Sequence, residues 1–156
     1  MKIERLQKRK GTENNKKVNT AYNKVQSLIE ALDKKEIPQP ELININEHIA
    51  LINSFNGTTK ELVKFLKTTN RSILDLLKKN LKIVPKHHFR ALWILYGSLG
   101  GVVLTSIFTN FHPISISVLA SIILPLAVAA GIVIGIAMDI NAEKEDRQIG
   151  IEAEEF

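Results

Sequence analysis

The one pair of adjacent histidines in the sequence is His87-His88, beside Lys86. Two imidazoles can bind a metal ion or respond to pH near neutrality. Successive residues on a helix point about 100° apart, so this pair does not converge on a single ion. It reads instead as a solvated pair at the edge of the apolar run that follows. His48 falls on an amphipathic segment and His112 in a short polar turn. Neither has a matching carboxylate cluster, and Glu41 and Glu47 read as solvated-face residues. The chain has no cysteine, which removes disulfides, thiolate zinc sites and cysteine nucleophiles. No glycine-rich nucleotide loop, HExxH or G-x-S-x-G pattern occurs. The expectation is a non-enzymatic protein with no cofactor, no metal and no small-molecule substrate.

A different chemistry is written in small residues. Gly97 and Gly101 are four apart, and Ala127, Gly131 and Gly135 repeat the step. Between helices in lipid there is little hydrophobic drive, so association depends on close backbone approach, and small residues four apart clear one face for it. The spacing is compatible with two helices packing within one chain and with self-association of several chains. Ser98, Thr105, Ser106, Ser115, Ser117 and Ser121 add polarity without charge. Their hydroxyls are expected to bond back to the preceding helical turn rather than line a pore. No charge interrupts the run, which argues against an ion or proton pathway.

The elements that carry these residues follow from hydropathy. From Ala91 to Met138 there is no Asp, Glu, Lys or Arg. At about 1.5 Å per residue, roughly 20 residues cross the hydrocarbon core. The run therefore divides into a span from Ala91 to about Thr109, a turn at Asn110-Phe111-His112-Pro113, and a second span from Ile114 to Met138, with Pro125 able to kink it. Lys82, Lys86 and Arg90 crowd the entrance to the first span, whereas the turn has no Lys or Arg. The positive-inside bias puts the N-terminal part in the cytoplasm, and an even number of spans returns the C-terminus there. Trp93 and Tyr96 fit the aromatic belt on that side. Phe108 and Phe111 mark the opposite one.

The preceding region is helical by periodicity. Val18, Tyr22, Val25, Leu28, Ile29 and Leu32 recur at steps of three and four, which predicts a helix over 18–35. Glu36-Ile37-Pro38-Gln39-Pro40 ends it. A second helix is expected over 41–55 on Leu42, Ile45, Ile49 and Ile52. The third, from Thr58 to about Ile83, opens with a capping box, Thr58-Thr59-Lys60-Glu61. Its seam, led by Leu62, Leu66, Ile73 and Leu77, is expected to offer a coiled-coil-like contact to a partner or a second copy, although no heptad array is long enough for a lone coiled coil.

Charge is divided along the chain. Residues 1–90 hold 19 Lys and Arg against 9 Asp and Glu, whereas residues 139–156 hold 2 against 7. The polar start, with no apolar stretch, leaves insertion to the internal segments. The reading is all-α: a basic flexible arm (1–17), a cytoplasmic domain of about three helices (18–84), a two-span transmembrane hairpin (91–138) and an acidic flexible tail (139–156). The expected function is a membrane-anchored interaction or scaffold protein whose partners are the lipid bilayer and a protein or second copy. The alternative is an oligomeric, holin-like or toxin-like pore former. A third reading, binding of lipid or nucleic acid through Lys8–Lys10 and Lys16–Lys17, has weaker support, because the positive charge is spread along helices.

Overall fold

Asn15 starts the first helix by accepting the amides of Lys17 and Val18 at 3.1 and 3.2 Å, and α1 then runs Lys16–Leu32. A computed structural model describes residues 2–9, 15–111 and 115–152. After Pro38, α2 covers Gln39–Asn53 with Pro40 in its first turn, where a missing N–H costs nothing. α3 covers Thr59–Leu76. Its capping box is formed: the Thr58 amide donates to Glu61 Oε2 at 2.8 Å, and the Glu61 amide donates to Thr58 Oγ1 at 3.4 Å. The Thr58 hydroxyl and then its backbone amide, both donating to the carboxylate, hold the Glu61 pKa below the usual glutamate value.

The helix expected to continue to Ile83 changes pitch at Leu77. Residues Leu77–Leu81 form one π-helical turn, and Lys82 closes it in the left-handed region at φ 56°. The amides of Lys82 and Ile83 both reach the Leu77 carbonyl, which satisfies a helix end without glycine.

The chain divides into two compact units, one drawn from Met1–Val84 and Ile149–Phe156, the other from Pro85–Gln148. In the first, the apolar faces of the three helices form one core. Val18, Tyr22, Val25, Leu28 and Leu32 of α1 meet Ile45, Ile49 and Ile52 of α2 and Leu62, Leu66, Ile73 and Leu77 of α3 and its π-turn. Burying each such side chain contributes about 1.5–3 kcal/mol before entropy is counted. Two short strands, β1 (Val84–Lys86) and β2 (Gln148–Glu152), form a two-stranded sheet. Ile149 and Ile151 of β2 enter the core of the first unit.

Two expected segments differ from this picture. The arm expected to be flexible over 1–17 lies, in residues 2–9, along α2, with Ile3 and Leu6 packed against the core; Met1 and residues 10–14 lie outside the described residues. The tail expected to be flexible from residue 139 continues α5 to Lys144 and then forms β2, while residues 153–156 lie outside the described residues. In both, alternate or every-third apolar residues reach a core, and burial overrides the polar average.

The second unit consists mainly of two long helices, α4 (His88–Phe111) and α5 (Ile116–Lys144). They are antiparallel, since Gly135 lies against Arg90, Gly131 against Trp93, Gly97 against Ala127 and Gly101 against Leu124. Of the expected turn, Asn110 and Phe111 belong to α4, and 112–114 lie outside the described residues.

Candidate functional site

The seam between α4 and α5 is where the small residues meet. A methyl group built on Gly131 would lie 2.2 Å from the Trp93 carbonyl oxygen, and one on Gly97 2.5 Å from the Ala127 carbonyl oxygen. On Gly135 it would lie 2.5 Å from the Arg90 Cα. Gly101 is closed more loosely, by Leu124 and Ala127 at 3.0 and 3.1 Å. Gly97, Gly131 and Gly135 are thus spent on the backbone of the other helix in the same chain, and Gly101 chiefly on its side chains. Gly100, on another face, meets nothing within 4 Å. The contacts are those that allow helices to associate without a hydrophobic drive.

One end of the seam carries a polar clasp. Asp139, only 6% exposed, lies on α5 beside the start of α4. Its two carboxylate oxygens accept the amides of Phe89 and Arg90, each at 3.1 Å. These amides belong to the first turn of α4, which has no intrahelical acceptor for them and carries the positive end of the helix dipole. The Asp139 carbonyl accepts Gln148 Nε2 at 2.7 Å. In the sequence, Asp139 is the first charge after the apolar run and reads as the start of the tail. The partners of its carboxylate lie 49 and 50 residues away, and no local signal announces them.

The expected interface residues are distributed as follows. Trp93 donates its indole N–H to Met138 Sδ and packs edge-on to Tyr96, with ring centres 6.0 Å apart. Arg90 is half-buried, and its Nε has no hydrogen-bond partner among the described residues. Lys86 and Lys82 are exposed. Four of the six hydroxyls bond back along their own helices: Ser98 to the Ile94 carbonyl, Thr105 to Gly101, Ser106 to Val102 and Ser121 to Val118; Ser115 and Ser117 instead bond to each other at 2.7 Å at the start of α5.

Away from the seam, α4 and α5 turn large apolar side chains outward. Leu99, Val103, Ile122, Leu126 and Val133 are all more than half exposed. Exposed apolar side chains in such number mark a surface that meets lipid or another protein. Both helices are long and apolar enough to cross a membrane; at 1.5 Å per residue, α4 and α5 measure about 36 and 44 Å.

In the first unit the expected contact residues occupy a different place. Leu62, Leu66, Ile73 and Leu77 are 0–1% exposed. The seam expected to meet a partner is the core, taken up by α1 and α2, because three amphipathic helices in one chain bury each other's faces first. Among what this unit exposes is a cluster of positive charge. A groove of about 930 Å³ between α1 and the start of α3 is lined by Lys16, Lys17, Lys24, Lys60 and Lys67, with no acidic residue among its described lining. Among the described residues, no group of three or more His, Asp or Glu side chains is placed to hold a metal ion. Comparison with protein-family models, curated proteins and solved structures finds no match to this chain.

Proposed function

We propose that this chain is a non-enzymatic, membrane-anchored interaction protein. α4 and α5 cross the bilayer as a hairpin, both ends lie on the cytoplasmic side, and the three-helix unit is held at that surface to meet a protein partner or a second copy. The observation that carries the reading is the division of labour in the helix pair: glycines and Asp139 face inward, and large aliphatic side chains face outward. Such a pair is complete as an anchor once lipid covers it. The positive residues Lys86, just before α4, and Arg90, in its first turn, support a cytoplasmic N-terminal side. The lysine groove suits anionic groups, including the headgroups of the same leaflet.

Several features favour the anchor over the alternative, pore formation. The small-residue faces are already occupied within one chain, and the span hydroxyls bond to their own helices. Two measurements on the purified full chain test the proposal. After reconstitution it should remain with vesicles through alkaline carbonate washing, and it should leave an entrapped dye in place. Release of the protein by carbonate would overturn the anchor, and leakage suppressed by Gly101→Leu would establish the pore instead.

A further inference from the structure

We propose that the groove along α2 is a binding groove for an extended peptide, that residues 2–9 occupy it as a built-in ligand, and that the same segment of a second copy can take its place. The inference goes beyond the membrane reading and does not depend on it.

The grip is exerted on backbone, not on side-chain identity. The Glu4 amide donates to Asn46 Oδ1 at 2.9 Å, and Asn46 Nδ2 donates to the Lys2 carbonyl at 3.2 Å. One step further along, the Gln7 amide donates to Asn53 Oδ1 at 2.8 Å, and Asn53 Nδ2 donates to the Arg5 carbonyl at 3.1 Å. Each asparagine thus clasps the carbonyl of one residue and the amide of the second residue after it. Asn46 and Asn53 are seven apart, which returns to the same helix face after about 10.5 Å. The clasped units repeat every three residues, and three residues of extended chain cover about 10 Å. The two repeats match, so the register on the helix sets the register of the segment.

Side chains add selectivity at the same interval. Ile3 and Leu6, three apart, are the residues of the segment packed against the core, whereas Glu4, Arg5, Gln7 and Lys8 are exposed. Past the second clasp, the Arg9 amide reaches the Tyr22 hydroxyl at 3.4 Å, and the Arg9 guanidinium donates to the Gly57 carbonyl. The groove therefore reads an extended backbone with apolar residues at positions one and four of a short motif and a cation beyond them.

Asn46 shows that this surface is built for a chain. It is 6% exposed on an otherwise apolar helix face. A buried amide is costly unless its donor and acceptor are used, and here the segment uses both. The occupant to which the geometry commits is a second copy, because its residues 2–9 reproduce every contact identically. Exchange of an identical element between copies is a low-cost route to a dimer.

The test uses a fluorescent peptide of residues 1–9 and the chain in detergent micelles. A variant lacking residues 1–9 should bind the peptide saturably. The native chain, whose own segment competes at high effective concentration, should bind it at least about tenfold more weakly. In the shortened chain, Asn53→Ala should weaken binding about tenfold through two lost hydrogen bonds, and a peptide with Ile3→Asp and Leu6→Asp should not bind. Should the shortened chain fold poorly, full-length Leu6→Asp serves in its place and should take up the peptide better than the native chain. Equal, weak binding of native and doubly substituted peptides by a folded variant would overturn the groove. For the occupant, a tagged shortened copy should co-purify with a full-length copy carrying Asn46→Ala and Asn53→Ala. Peptide capture without co-purification of the two copies would overturn the second copy as occupant and assign the groove to a segment of another protein.

Discussion

Replacing Gly131 with alanine tests the helix seam by a single methyl group. The new Cβ would lie 2.2 Å from the Trp93 carbonyl oxygen and 3.5 Å from the Gly97 Cα. Ordinary contact begins near 3.4 Å, so α4 and α5 must separate locally by about 1 Å or more, and neighbouring contacts at Gly97 and Gly135 loosen with them. Forcing extra volume into a closed contact costs typically about 1–3 kcal/mol. The control is Gly100→Ala, where a Cβ meets nothing within 4 Å; this change should be neutral, or slightly stabilising through helix propensity. Trp93 is the single tryptophan and sits on the seam, so its fluorescence during transfer from mild detergent to increasing SDS reports separation of the helices. Gly131→Ala should lose the native signal at a clearly lower SDS fraction than Gly100→Ala. Coincident curves for the two variants would refute the close approach on which the seam rests.

Other changes address other contacts. Asp139→Ala should cost about 0.5–2 kcal/mol in the same SDS titration, the range for losing a helix cap, with Asp139→Asn intermediate; an unchanged curve would remove the clasp. Leu66→Ala should destabilise the three-helix unit by about 2–5 kcal/mol in urea unfolding followed by circular dichroism, since Leu66 is fully buried; a loss below about 1 kcal/mol would mean that the residue faces solvent or a partner. Glu61 should titrate below the usual glutamate value in a pH series of NMR spectra, and Thr58→Ala should move its midpoint upward. Because the folded-state pKa is the lower one, the capping contribution is present above the unfolded value and is lost as pH falls through the folded one; a midpoint unmoved by Thr58→Ala would contradict the capping box.

Local signals account for much of the architecture. The capping box at Thr58 and Glu61, the threes and fours of α1 and the uncharged stretch from Ala91 to Met138 are each legible within one segment. The small residues at 97, 101, 127, 131 and 135 announce close helix approach, but their spacing is the same whether the neighbour is in the same chain or another; only the register of α4 on α5 separates the two. Leu62, Leu66, Ile73 and Leu77 illustrate the same limit: an apolar seam specifies burial and not what covers it. Asp139, Asn46 and Asn53 leave no local trace, because their partners are 42 to 50 residues distant and a polar side chain on a helix ordinarily faces water. In Gln148–Glu152, the alternation of Ile149 and Ile151 is a short strand signal overshadowed by the acidic residues around it.

The chain has no cysteine, so single engineered cysteines test the bilayer crossing directly. In intact cells, a membrane-impermeant maleimide added outside should label Asn110→Cys, at the far end of α4, and should label Asn56→Cys, in the three-helix unit, only after the membrane is opened. Labelling of both from the same side, or recovery of either variant in the soluble fraction, would contradict a hairpin that enters and leaves by the cytoplasmic face.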